Sequence, residues 1–225
     1  MKFRIVTDSS SNVLSLPHED YGCVPMKIVA GREYVDAPGL NIAQMVEDLK
    51  GYKGKTGSSC PNVGEWLEAF GDAKYVFGIT ITKHLSGSYN AARQAAQTYM
   101  EEHPDRRVYL FDSLSAGPES MMIADKIRQC EAAGDDFDTT IAKVLDYHNH
   151  THTVFCAESI NNLARNGRVS LAVAKLAGIL GIRIIGEAQG GQIVAIHKPR
   201  GEKKALLTMV QVVKERGFRD GGLIR

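Results

Sequence analysis

Residues Leu85-Ser86-Gly87-Ser88-Tyr89 put two hydroxyls around a glycine. They follow an apolar run, Tyr75 to Thr82, and precede an alanine-rich stretch that includes Ala91, Ala92, Ala95 and Ala96. A strand that hands over to a helix exposes free backbone N–H groups and the positive end of the helix dipole. Hydroxyls donate hydrogen bonds without carrying a counter-charge, and a glycine lets the backbone come close to a guest. The chemistry suited to this spot is anion binding. Two more apolar runs end in similar polar clusters, Thr7 to Ser11 and Asp112 to Gly117. Serine, aspartate and glycine also serve as turn formers and N-caps, so any one cluster has an ordinary structural reading. Three of them at the same edge of a sheet point to a site.

The elements that must position these clusters follow from the apolar spacing. Strands are predicted over Phe3 to Val6, Val24 to Val29, Tyr75 to Thr82 and Arg107 to Phe111. Helices are predicted from Asn41 as N-cap to 50, from Val63 to Phe70, from Ser88 to Glu101, from Pro118 to Ala133 and from Phe137 to Asn149. Apolar stripes support two of them: Ile42, Met45, Val46 and Leu49, then Val63, Trp66, Leu67 and Phe70. Strands separated by helices indicate a parallel sheet with right-handed crossovers, whose ligands bind beyond the carboxyl ends of the strands.

Beyond residue 150 the character changes. Thr153 to Glu158 reads as a strand, Ser159 to Asn166 as a short helix ending at Gly167, and Ser170 to Leu180 as an apolar helix. Arg183 to Ile185 and Ile193 to His197 form a hairpin around Gly190-Gly191, and Glu202 to Gly217 is a helix with Leu206, Met209, Val210 and Val213 along one side. The expected fold class is therefore α/β with two domains. Residues 1–150 form a three-layer α/β/α domain on a parallel sheet, and 151–225 an α+β domain with a mixed sheet.

Composition narrows the function. A net charge of +1 leaves no footprint for nucleic acid or an anionic membrane. The apolar runs are too short and interrupted to span a bilayer, and the first residues show no secretory h-region. Cys23, Cys60, Cys130 and Cys156 stand far apart with no CxxC, as expected of reduced thiols in a cytoplasmic protein. No HExxH, GxSxG, P-loop or GxGxxG occurs. His148, His150 and His152 alternate, but at a helix end where solvated histidines are favoured, so no metal is expected.

Six segments together carry a resemblance. They are Thr7-Asp8-Ser9-Ser10; Ser58-Ser59-Cys60-Pro61 with Gly64-Glu65; Leu85-Ser86-Gly87-Ser88-Tyr89; Asp112-Ser113-Leu114-Ser115-Ala116; Glu158-Ser159-Ile160 through Gly167-Arg168-Val169-Ser170; and Lys198-Pro199-Arg200-Gly201-Glu202-Lys203-Lys204-Ala205. In this order over nearly the whole chain, they resemble the DegV family of bacterial fatty-acid-binding proteins. The resemblance implies a carrier, not a catalyst, with a long-chain fatty acid as ligand, bound between two domains, and no other cofactor. By position it assigns the carboxylate to Ser58 and Ser86. Ser59, Gly87 and Ser88 complete the expected head-group site, and Ser58 stands where the family has threonine. It also implies presentation of the acid to a separate fatty-acid kinase, with Arg168, Arg200, Lys203 and Lys204 as candidate contacts. Family members usually continue with further strands and an H-x-G-P-G-type segment, so an incomplete second sheet is expected here. The competing reading is a Ser-dependent hydrolase, or another enzyme acting on a small acidic ligand.

Overall fold

A computed structural model of the chain describes residues 2–16, 20–175 and 181–219. The chain divides into two compact units, Met1–His150 and Thr151–Arg225.

In chain order the first unit contains β1 (Arg4–Asp8), β2 (Tyr21–Val24), β3 (Lys27–Val29), β4 (Glu33–Val35), α1 (Ile42–Gly51), β5 (Gly57–Ser59) and α2 (Val63–Phe70). Then come β6 (Tyr75–Thr80), α3 (Ser88–Glu102), β7 (Arg107–Asp112), α4 (Pro118–Ala132) and α5 (Phe137–His148). Its main sheet has the order β2-β1-β6-β7, and every pairing in it is parallel. Side chains alternate across this sheet, and both faces are covered, so its strands read as near-continuous apolar runs. Ile5, Phe77, Ile79 and Phe111 pack on one side against Ile123 and Ile127 of α4 and Phe137 and Val144 of α5. Val6, Val24 and Val76 pack on the other against Trp66 and Phe70 of α2 and Ala92, Ala95 and Tyr99 of α3. Three layers result. Gly78 within β6 leaves room for its neighbour on β7: a Cβ there would lie 2.4 Å from Leu110 Cδ2 and would make that side chain shift.

The single strand predicted from Val24 to Val29 is in fact two. Pro25 lacks an N–H and cannot continue the ladder, so the chain leaves the parallel sheet there. It re-enters as β3, in a small antiparallel sheet of order β4-β3-β5 that the apolar pattern did not reveal. The stripe of α1 is not core: Ile42 and Val46 are exposed, and the helix buries no residue.

The second unit contains β8 (Val154–Ala157), α6 (Asn161–Arg165), α7 (Leu171–Ala174), β9 (Ile184–Gln189), β10 (Gln192–His197) and α8 (Glu202–Glu215). Residues 176–180 of the predicted apolar helix lie outside the described residues, as do 220–225. The sheet order is β10-β9-β8, and both pairings among the described residues are antiparallel, where the sequence suggested a mixed sheet. Gly190 and Gly191 have φ of 55° and 83°, the left-handed pair that a tight hairpin needs. Ala205 and Val212 of α8 pack with Ile185. Leu206 and Val210, from the apolar side read in the sequence, are exposed.

Candidate functional site

The parallel sheet has a topological switch point. From β1 the chain moves outward to β2, then returns to the opposite side of β1 as β6 and continues outward to β7. The crevice beyond the carboxyl ends of β1 and β6 is where such sheets bind ligands. All three polar clusters meet there and are stitched to one another. The Asp8 carboxylate at the end of β1 accepts hydrogen bonds from the Ile81 N–H (3.0 Å) and the Ser88 hydroxyl (2.6 Å), both just beyond β6. The Thr82 N–H donates to the Ser115 carbonyl at 2.9 Å, joining the second cluster to the third. The Gly117 N–H donates to the Ser10 carbonyl at 2.9 Å, joining the third to the first.

α3 begins at Ser88, so its N-terminus opens at this crevice. Ser86 is half-buried, and its Oγ accepts from the Ser88 N–H at 3.2 Å, which leaves its proton free to donate elsewhere. Gly87 is exposed and has φ −73°, ordinary helical backbone, so it is not there to supply a left-handed turn. What Gly87 does supply is space: a Cβ on it would lie 3.2 Å from the Cys60 Sγ. That approach brings the Ser58–Pro61 segment against the Ser86–Gly87 turn, although the two are separated in sequence by a helix and a strand.

Ser58 occupies the middle of β5, opposite Ile28, and Ser59 pairs opposite Lys27; both are exposed. Successive strand residues point to opposite faces, so Ser59 can share a guest with the Ser58 side chain only through its backbone. Ser88 differs from Ser58 and Ser59 in its surroundings. It is fully buried, and its hydroxyl donates to Asp8, so that hydroxyl holds the turn. Asp8 is the residue whose role sequence reasoning missed. It was legible as part of Thr7-Asp8-Ser9-Ser10, but nothing in the spacing said that Ser88 would be its partner. Asp8 is 1% exposed, and burial pushes its carboxyl above the usual carboxylate range, against the opposing effect of its hydrogen bonds from Ser10, Ser88 and Ile81.

The histidines do not converge. His148, expected to be solvated, is largely enclosed: its Nε2 lies 2.9 Å from the Ser113 carbonyl and 3.4 Å from Glu119 Oε1. The Glu119 carboxylate holds the His148 imidazole above its ordinary value. His150 Nδ1 lies 2.7 Å from the Asp146 carbonyl. Among the described residues no group of three or more His, Cys, Asp or Glu side chains could hold a metal ion. No histidine among them hydrogen-bonds to Ser86. In the second unit Arg168, Arg200, Lys203 and Lys204 are all exposed.

A parallel α/β sheet whose strand ends gather hydroxyls and a helix N-terminus at the switch point defines a small-ligand-binding protein. The family model described as "Uncharacterised protein, DegV family" matches residues 2–222, and the chain belongs to the DegV family. A DegV domain-containing protein of Streptococcus pneumoniae is 33% identical over 230 residues, covering 100% of this chain and 82% of the relative. Among solved structures, a DegV family protein from Eubacterium eligens loaded with heptadecanoic acid is 37% identical, with a TM-score of 0.91 over 96% of this chain and 79% of its own. The Fatty Acid Kinase (Fak) B3 protein of Streptococcus pneumoniae, loaded with linoleic acid, is 33% identical, with a TM-score of 0.92 over 97% of this chain and 80% of its own.

Proposed function

We propose that this chain is a carrier that binds a long-chain fatty acid. The hydroxyls of Ser58 and Ser86 donate to the carboxylate, and the backbone beside Gly87 and Ser59 completes the head-group site. The carrying observation is the close approach of the Ser58–Pro61 segment to the Ser86–Gly87 turn, measured by the 3.2 Å between Cys60 Sγ and a Gly87 Cβ. It brings two donor-bearing segments to one helix N-terminus, the arrangement an anionic head group needs. The fatty acids held by the relatives from Eubacterium eligens and Streptococcus pneumoniae support the same class of ligand. The Fak B3 relative supports a further step, delivery of the bound acid to a separate kinase, for which the exposed Arg168, Arg200 and Lys203 are the proposed contacts. No helix among the described residues is long and apolar enough to cross a membrane. A cytoplasmic carrier with reduced thiols fits this reading.

Native mass spectrometry of the purified chain should detect a fatty acid that leaves on denaturation. Ser58→Ala and Ser86→Ala should each weaken palmitate binding by about 1–2 kcal/mol, the worth of a hydrogen bond to a charged acceptor. Calorimetric titration checks this, and unchanged affinity in both variants would remove these hydroxyls from the site.

A further inference from the structure

Asp8 presents a problem for any anion bound at Ser86. It is 1% exposed, and no cationic side chain lies within ion-pair distance of it among the described residues. Its carboxylate accepts from the Ser10 hydroxyl, the Ser88 hydroxyl and the Ile81 N–H. The titratable groups facing it offer no positive charge either. From β2 come the Tyr21 phenol and the Cys23 thiol; burial raises both, the thiol to about 12, so both stay neutral near pH 7. Asp36 faces Cys23 and adds a further carboxylate nearby. α3 contributes Ser88, and the segment after β6 contributes a backbone N–H.

Asp8 is also wired to the head-group turn. The Ser88 hydroxyl donates to Asp8 Oδ2, and the Ser88 N–H donates to Ser86 Oγ. A carboxylate ligand on Ser86 therefore sits three hydrogen bonds from a buried carboxylate, through Ser86 and Ser88. Two like charges linked through this turn repel, so a bound anion disfavours the ionised form of Asp8. Burial alone already raises Asp8 in the free protein, and a second anion raises it further.

We propose that Asp8 takes up one proton from solvent when the fatty-acid carboxylate binds, so that the anion and a proton enter together. This rests on the head-group reading above and deepens it. The ligand stays ionised and keeps its hydrogen bonds from the serines, while the proton resides on the Asp8 carboxyl. The sign follows from linkage. Between the pH at which Asp8 titrates in the free protein and the higher pH at which it titrates in the complex, binding consumes a proton. Affinity then falls as pH rises, by up to about tenfold per pH unit, and levels off outside that window.

The test is calorimetry of palmitate binding to the full chain, at matched pH between about 4 and 9, in buffers of different ionisation enthalpy. Wild type should show proton uptake approaching one per ligand within the window. Asp8→Asn should abolish the uptake and flatten the pH dependence. Its amide can still accept from Ile81 and Ser88 and can donate to the Ser10 hydroxyl. If that variant fails to fold, carboxyl-labelled [1-13C]palmitate bound to wild type gives the answer by NMR. Its resonance should remain that of a carboxylate while uptake is measured, and a resonance reporting a protonated ligand would overturn the proposal. Equal uptake in wild type and Asp8→Asn, or palmitate binding to wild type without uptake at any pH in the range, would also overturn it. Absence of palmitate binding at every pH would instead sink the head-group reading, and the inference with it.

Discussion

Lengthening the ligand from eight to sixteen carbons should tighten binding by about 6 kcal/mol, more than ten-thousandfold. Each methylene moved from water into an apolar enclosure contributes about 0.8 kcal/mol, and eight are added. The head group contributes the same amount at every length, so the series isolates the tail. The proposed carrier must discriminate in this way, because two serine hydroxyls alone would hold acetate as well as palmitate. Competition titrations with saturated acids, each below its aggregation threshold, measure the slope. A slope near zero would place the acyl chain in water and reduce the site to a general carboxylate binder.

Trp66→Ala should destabilise the first unit by about 3–5 kcal/mol, the range for removing a large aromatic side chain from a packed core. Trp66 is fully buried against Phe70, with ring centroids 6.0 Å apart, and it packs in the cluster that joins α2 and α3 to the sheet. α2 starts at Val63, just after the Ser58–Pro61 segment, so this core also sets where that segment meets the Gly87 turn. Trp66→Phe should cost much less. It keeps most of the ring and removes an indole N–H that is buried without a hydrogen-bond partner, whose desolvation is uncompensated. Urea unfolding followed by circular dichroism compares the two variants. A Trp66→Ala midpoint indistinguishable from wild type would mean that the α2 interface repacks at no cost.

Much of the fold could be read from residue order. Asn41 caps α1, accepting from the Gln44 N–H, and Pro118 opens α4. The helices α3, α4 and α5 fall within a residue or so of their predicted bounds, because period and caps are local properties. What failed was also instructive. Val24-Pro25-Met26-Lys27-Ile28-Val29 looks like one apolar strand, yet its halves belong to different sheets. The stripes on α1 and α8 have helical spacing, but spacing says only that a face is apolar, not that a partner lies against it.

The sequence by itself determined the chemistry available: three hydroxyl-rich strand ends, a glycine at a helix start, and no metal or nucleophile motif. These are consequences of residue type and short-range pattern. Only the tertiary structure decided which of these groups serve one another. Ser86 and Ser88 are near-neighbours in sequence, yet one hydroxyl is left to donate and the other is buried on Asp8, 80 residues away. Cys60 and Gly87 come within a side chain's breadth because α2 and β6 fold the chain back on itself. Such pairings depend on strand order, and strand order is set by how two apolar faces are covered at once, a condition that no single segment of the chain carries.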